Sequence, residues 1–153
     1  MRYIIGVGNY SMADDGIGLR IVEHIARNGL DRGFEAVDLA DEGVRLLFYL
    51  NEETEKIVLV DAVDLGLPPG EYRLFNPEDV ASTKEVKRLT THESDILEVL
   101  RFAKSLGHHL PSITILGVQP GDLSPRMELS PALRERFDTY LRVALEEVGK
   151  DPQ

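Results

Sequence analysis

The sequence of 153 residues contains no cysteine and no tryptophan. The lack of cysteine excludes disulfide bonds, a thiol nucleophile, and zinc or iron–sulfur sites built on thiolates. The longest apolar runs, such as Ile57–Val60, are far shorter than the roughly 20 residues that a transmembrane helix needs. Glycines interrupt the apolar stretch near the N-terminus, so no secretory signal is expected there. These absences together predict a cytoplasmic protein.

Positive charge is also scarce, because 17 lysines and arginines face 27 aspartates and glutamates, for a net charge of −10. This balance opposes binding to nucleic acid or to anionic lipid and favours a cation or a protein partner. The remaining composition, 42% hydrophobic and 29% charged, is typical of a globular protein. We predict a single domain over residues 1–153, acting as a monomer.

Strand-sized apolar runs alternate along the chain with segments of helical period. Strands are predicted at Arg2–Val7, Phe34–Leu39, Lys56–Ala62, Glu71–Phe75 and Ser112–Val118, and helices at about Asp15–Asn28, Val44–Leu50, Glu93–Leu106 and Pro131–Val148. This order predicts a three-layer α/β fold, with a mostly parallel twisted sheet of about five strands between helices on both faces. The alternating strand Glu71–Phe75 is expected at an edge, where antiparallel pairing is an option.

The first strand runs into a glycine-rich turn, Gly6-x-Gly8, which resembles the start of a dinucleotide-binding loop. The third glycine of that fingerprint is missing, and no P-loop lysine follows. The chain instead places Asp14 and Asp15 where a helix N-terminus would meet a phosphate. Since two carboxylates repel a phosphate, nucleotide binding is disfavoured.

The acidic pair has a structural and a functional interpretation. In the structural one, Asp14 is the N-cap of the following helix and Asp15 is a first-turn acid favoured by the helix dipole. In the functional one, a carboxylate faces a cation. Gly16 and Gly18 favour the functional interpretation, because glycines in a first helical turn cost roughly 1 kcal/mol each and indicate a close approach to the backbone.

Two further residues extend this hypothesis. Asp61 follows the most hydrophobic strand, at the carboxyl end where parallel sheets bind ligands, although an Asp there also commonly caps a turn. Thr90-x-x-Glu93 fits a capping box that places His92 in the first turn of a helix, where the imidazole stays neutral. Two carboxylates and one imidazole form a ligand set for a divalent metal such as Ni²⁺, Zn²⁺ or Mn²⁺.

Four segments in order, GVGNYSMADDGIG, LVDAVDLGLPPG, TTHE and LGVQP, resemble the [NiFe]-hydrogenase maturation endopeptidases over almost the whole chain. The similarity is closest to the formate hydrogenlyase-type members. The resemblance implies an α/β sheet flanked by helices and an endopeptidase that removes the C-terminal extension of a hydrogenase large-subunit precursor after nickel insertion. It also implies that Asp15, Asp61 and His92 bind the nickel, which the substrate carries. Six positions are expected to support the site or the approach of the substrate: Gly8, Asn9, Asp14, Gly16, Gly18 and Asp38.

One motif departs from that family. Many members have D-G-G-[TS] after the second strand, whereas Asp38 is followed here by LADEG, so the shape of that loop and the choice of large subunit are open. Two other functions remain as alternatives. One is a nickel-dependent checkpoint protein that recognises the precursor without cleaving it, and the other is a phosphate- or nucleotide-binding enzyme.

Overall fold

The computed structural model describes residues 1–82 and 91–152, with side chains over 1–79 and 96–152. The strands are β1 (Arg2–Gly6), β2 (Glu35–Asp38), β3 (Lys56–Ala62), β4 (Tyr72–Phe75) and β5 (Ser112–Val118). The α-helices are α1 (Ile17–Arg27), α2 (Pro77–Ser82), α3 (Thr91–Ser105), α4 (Pro131–Glu135) and α5 (Phe137–Gly149). Two 3-10 helices, Ala13–Gly16 and Gly43–Tyr49, follow β1 and β2. Within the described ranges, no helix is both long and apolar enough to span a membrane.

The five strands form one sheet in the order β2-β1-β3-β5-β4, which confirms the predicted architecture. Strands β2, β1, β3 and β5 are parallel, and β4 pairs antiparallel with β5 at the edge. The chain leaves β1 toward β2 on one side, and β3 then returns to the other side of β1. The gap between β1 and β3 is therefore the point where the strand order reverses, and ligands bind at the carboxyl ends of the strands at such a point.

Neighbouring residues of the central strands enter opposite cores, because side chains alternate across a sheet. Ile4 packs with α1 and α5 on one face, and Ile5 packs with α3 and the 3-10 helix Gly43–Tyr49 on the other. Every residue of β3 is buried, including Lys56 and Asp61 at either side of the apolar run Ile57–Val60 that predicts a strand covered on both faces. The helices thus cover both faces, in agreement with the three predicted layers.

The predicted helical segments differ from the structure in two places. The segment predicted as Val44–Leu50 is a 3-10 helix, and the last helix is interrupted at Arg136, whose φ of −105° and ψ of 8° leave the helical region. This break separates α4 from α5. The N-terminal part of α5 then places Tyr140 against the loop before β4, where its hydroxyl donates to the Gly70 carbonyl oxygen at 2.6 Å. Burial raises the pKa of Tyr140 to about 12, so this donor stays protonated.

Candidate active site

The turn after β1 depends on glycine for its shape. Gly8 has a φ of +141°, a conformation that side chains rarely adopt, and a Cβ atom there would overlap the carbonyl oxygen of Asp15. The Gly8 N–H donates to the Ala40 carbonyl oxygen at 2.8 Å, which ties the turn to the loop after β2. The predicted supporting role of Gly8 is therefore structural: this residue lets the 3-10 helix Ala13–Gly16 fold back against β1.

Asp15 lies in that 3-10 helix, and only 6% of its surface is exposed. Its Oδ2 atom accepts a hydrogen bond from the Asn9 N–H at 3.0 Å. The Asn9 side chain in turn accepts hydrogen bonds from the Ser11 N–H and hydroxyl group, at 3.0 and 2.8 Å. Asn9 thus shapes the turn with its side chain and orients the Asp15 carboxylate with its backbone.

Asp61 is the next-to-last residue of β3 and is 2% exposed. Its Oδ1 atom accepts a hydrogen bond from the Ala62 N–H at 2.8 Å. The same Oδ1 atom lies 3.6 Å from where a Cβ atom on Gly8 would be. Since Gly8 also contacts the Asp15 backbone, the two carboxylate residues meet around this one glycine. The structure therefore brings Asp15 and Asp61 together at the reversal point between β1 and β3, at the same edge of the sheet.

Asp14 does not cap α1, contrary to the structural interpretation of the acidic pair. Its carboxylate is fully buried and points to the loop after β5, where it accepts hydrogen bonds from four groups. The donors are the N–H groups of Gly121 (2.8 Å), Asp122 (2.9 Å) and Ser130 (2.7 Å) and the Ser130 hydroxyl (2.8 Å). The N-cap residue of α1 is Gly16, which forms no side-chain cap. Asp14 therefore anchors a distant loop.

Gly16 and Gly18, which were expected to admit a substrate backbone, are buried, and the close approaches that the structure describes at both are made by the protein itself. A Cβ atom on Gly18 would overlap the Val60 carbonyl oxygen of β3, and one on Gly16 would lie 3.2 Å from the Tyr10 Cα. The two glycines instead let the start of α1 lie directly on β3 and on the preceding turn.

Asp38 is exposed at the end of β2, and its Oδ1 atom accepts a hydrogen bond from the Ala40 N–H at 2.7 Å. Ala40 adopts a φ of +50°, which favours glycine, and its carbonyl oxygen accepts the Gly8 N–H described above. The loop that lacks the glycine pair thus still takes a left-handed turn. Asp38 acts through Ala40 and Gly8 as a support for the turn that holds Asp15.

His92 is the second residue of α3, so its backbone lies in the first helical turn of that range, as predicted. Its side chain and the capping residue Thr90 lie outside the described residues. Asp15 and Asp61 are thus the two predicted ligands whose side chains the structure describes. In the part of the chain with described side chains, no group of three or more histidine, aspartate or glutamate residues forms a metal-binding cluster.

Gln119 has a role that the sequence reasoning missed, although it is part of the LGVQP segment. It is 8% exposed, and its Oε1 atom accepts hydrogen bonds from the N–H groups of Leu65 at 2.6 Å and Leu67 at 3.3 Å. These bonds fix the loop that follows Asp61. The available signal was a polar residue placed directly after a buried strand.

The loop after β5 also carries Asp122. Hydrogen bonds from Ser124, and then the charge of Arg126, lower the pKa of Asp122.

Known proteins are similar to this chain in both sequence and fold. The family model described as hydrogenase maturation protease matches residues 19–147. The chain belongs to the hydrogenase maturation protease family. This assignment confirms the family predicted from the four motifs and places the chain among proteases.

Individual relatives agree with this family. The hydrogenase expression/formation protein HupD of Thiocapsa roseopersicina is 31% identical over 145 residues, which cover 94% of this chain but 65% of that protein. The hydrogenase maturating endopeptidase HybD from E. coli superposes with a TM-score of 0.78 at 26% identity, over 97% of this chain and 94% of that one. The [NiFe] hydrogenase maturation protease HybD from Thermococcus kodakarensis has a TM-score of 0.77 at 25% identity, over 98% and 100% of the two chains. The chain thus spans about two thirds of that curated relative and nearly all of the solved structures.

Proposed function

We propose that this chain is an endopeptidase that removes the C-terminal extension of a [NiFe]-hydrogenase large-subunit precursor once nickel has been inserted. In this proposal Asp15, Asp61 and His92 recognise the nickel, which belongs to the substrate. The observation that carries the proposal is the meeting of Asp15 and Asp61 around Gly8 at the reversal point of the sheet. Their burial, to 6% and 2% exposure, strengthens their attraction for a cation.

The chemistry of the donors supports a divalent cation. Backbone N–H groups hold one oxygen of each carboxylate, from Asn9 to Asp15 and from Ala62 to Asp61. Such bonds orient a carboxylate while leaving its formal charge in place. A carboxylate pair with one imidazole suits nickel, and three protein ligands leave positions for ligands from the precursor.

Two chemical roles follow for these residues. Docking of the nickel would position the scissile peptide bond beside the carboxylates, which lowers the barrier to hydrolysis by fixing the geometry. Asp61 is our candidate for the general base that takes a proton from the attacking water. The nickel of the substrate would also act as a Lewis acid on the peptide carbonyl if it reaches that oxygen.

The test is cleavage of a purified, nickel-loaded large-subunit precursor by the wild-type protein, followed by mass spectrometry. We expect the precursor to lose a C-terminal peptide, and a nickel-free precursor to remain intact. The variants D15N, D61N and H92A should each lower the rate about 100-fold or more, because each removes a group that holds or activates the reacting centre. The matched control is D41N, which removes the same charge from an exposed aspartate after β2 and should retain the wild-type rate.

The outcomes separate the candidate functions. A precursor that is bound by wild type but never shortened would assign the chain to a checkpoint protein and overturn the protease proposal. Full cleavage by D15N and H92A would overturn the site assignment while leaving the protease proposal in place. Tight binding of a nucleotide, measured by calorimetry, would favour a nucleotide-binding enzyme instead.

A further inference from the structure

The loop over residues 119–130, which follows β5, is fixed to the candidate site by several independent contacts. Asp14 accepts the four hydrogen bonds described above from this loop. The backbone adds bonds from the Ala13 N–H to the Arg126 carbonyl oxygen at 2.7 Å and from the Asp14 N–H to the Asp122 carbonyl oxygen at 3.0 Å. An isolated parallel bridge joins Met12 to Arg126. The loop therefore cannot shift relative to Asp15 without breaking a buried network.

This anchored loop presents two large apolar side chains to solvent. Leu123 is 45% exposed and Met127 is 56% exposed. Leu123 directly follows Asp122, whose carbonyl oxygen accepts the Asp14 N–H. Met127 directly follows Arg126, whose carbonyl oxygen accepts the Ala13 N–H. Single exposed apolar side chains are common, but these two lie on one loop that a buried carboxylate anchors beside the candidate site.

The charge around this surface indicates what it binds. The loop is bonded to the segment that carries the buried carboxylates Asp14 and Asp15, and on the loop itself Asp122 pairs with Arg126 at 3.5 Å. A second copy of this chain would bring the same acidic edge and a net charge of −10, so it would be repelled. A peptide that carries a cation next to apolar residues is complementary in both charge and hydrophobicity.

We propose that Leu123 and Met127 form a docking surface for the precursor segment that flanks the scissile bond, binding it through apolar side chains of that segment. This inference rests on the proposed function and adds the chemistry of substrate recognition to it. Burial of an exposed leucine or methionine side chain favours binding, and both sit on a loop that needs no ordering on association. The two residues act before the chemical step, so they should affect binding of the precursor more than its turnover.

The experiment compares two double variants in steady-state cleavage of a nickel-loaded precursor that the wild-type protein cleaves. L123S/M127S removes the docking surface, and we expect KM to rise about 10- to 100-fold with kcat within threefold. The control F102S/L106S removes two apolar residues of similar exposure, 54% and 58%, near the end of α3 that leads to the start of β5. This control should keep the wild-type KM. The apolar exchange L123M/M127L should also keep it, which separates hydrophobicity from exact shape.

Each outcome is informative. Wild-type KM in L123S/M127S, with circular dichroism showing an intact fold, would overturn the docking inference while the protease function stands. A fall in kcat alone would overturn it as well, because a docking surface acts on binding. If wild type sediments as a dimer that L123S/M127S converts to monomers, the surface serves a second copy and the inference is wrong. Failure of the wild-type protein to cleave any precursor would instead overturn the proposed function.

Discussion

The two ends of the parallel strands both bury charged side chains, but they stabilise them differently. At the amino-terminal end, Lys56 is 2% exposed, and its Nζ atom lies 3.5 Å from Glu147 Oε1 and donates to the Lys150 carbonyl oxygen at 3.2 Å. Thr114 adds a hydrogen bond to the same Glu147 oxygen at 3.1 Å. Opposite charges meet there, and their fields largely cancel.

At the carboxyl-terminal end, three carboxylates are buried: the adjacent residues Asp14 and Asp15, and Asp61 from β3. The hydrogen bonds described for Asp14, Asp15 and Asp61 come from N–H and hydroxyl groups, which orient a carboxylate without cancelling its charge. This difference fits the proposed function, in which the amino-terminal end stabilises the fold and the carboxyl-terminal end recognises the cation that the precursor carries.

The largest expected effect on stability is at the amino-terminal end. The variant K56M removes the buried cation and leaves Glu147 with Thr114 and the exposed Lys150, whose Nζ lies 3.3 Å from Glu147 Oε2. We expect the free energy of unfolding to fall by about 3 kcal/mol, as measured by urea denaturation, because a buried charge loses its partner. The control K150M breaks the exposed pair with the same glutamate and should cost less than about 1 kcal/mol.

If the two ends differ as described, K56M should retain the cleavage rate of wild type at a temperature where it is fully folded. A large loss of cleavage by the folded variant would contradict the division between a structural end and a functional end.

A smaller effect is expected from the buried acid that holds the loop after β5. The variant D14N replaces one acceptor oxygen with an amide that faces N–H and hydroxyl donors, and we expect a loss of about 2 kcal/mol in the free energy of unfolding. The control is D122N on the same loop, whose carboxylate accepts the Ser124 N–H at 2.8 Å in a more exposed position. It should cost less than about 1 kcal/mol.

Equal losses in the free energy of unfolding for D14N and D122N would show that the buried hydrogen bonds of Asp14 stabilise the fold no more than the exposed ones of Asp122. That result would also remove the anchor that the docking surface requires.

The smallest effect is a gain in stability at the carboxyl-terminal end. Ala40 has a φ of +50°, so A40G should relieve backbone strain and raise the free energy of unfolding by about 1 kcal/mol. The control A26G makes the same substitution inside α1 at an exposed position, and there it should lower the free energy by about 1 kcal/mol. Thermal denaturation of the two variants should therefore shift in opposite directions. A loss of stability in A40G would show that the loop after β2 carries no such strain.

The sheet could be predicted from sequence because its signals are local. The bounds of β3 and β5 agree with the predicted strands, since their apolar runs are continuous and end at polar residues or turns. Helix α2 was missed although its start has a local signal: Asn76 precedes Pro77, and the Asp79 side chain accepts the Asn76 N–H at 3.0 Å. The helix spans six residues, which is too short for a hydrophobic period.

The roles of the glycines and of Asp14 could not be predicted, because their partners are distant in sequence. Gly18 meets the Val60 carbonyl oxygen, and the Asp14 carboxylate meets Ser130, so each contact exists only after the strands have assembled. A local interpretation assigned Asp14 to a helix cap, where aspartate is common, and the glycines to a substrate, because glycine permits a close approach to the backbone. Asp15 and Asp61 were correctly placed at one edge, because the carboxyl ends of parallel strands meet there whatever their separation in sequence.

The contact between α1 and β3 has one more consequence. Because Gly18 rests on the Val60 carbonyl oxygen, one backbone touches the other with no side chain between them. Asp15 lies three residues before Gly18, and Asp61 directly follows Val60, so covalent geometry transmits this contact to both carboxylates. Within the proposed function, this packing of one backbone on the other therefore helps to set the spacing of the two carboxylates.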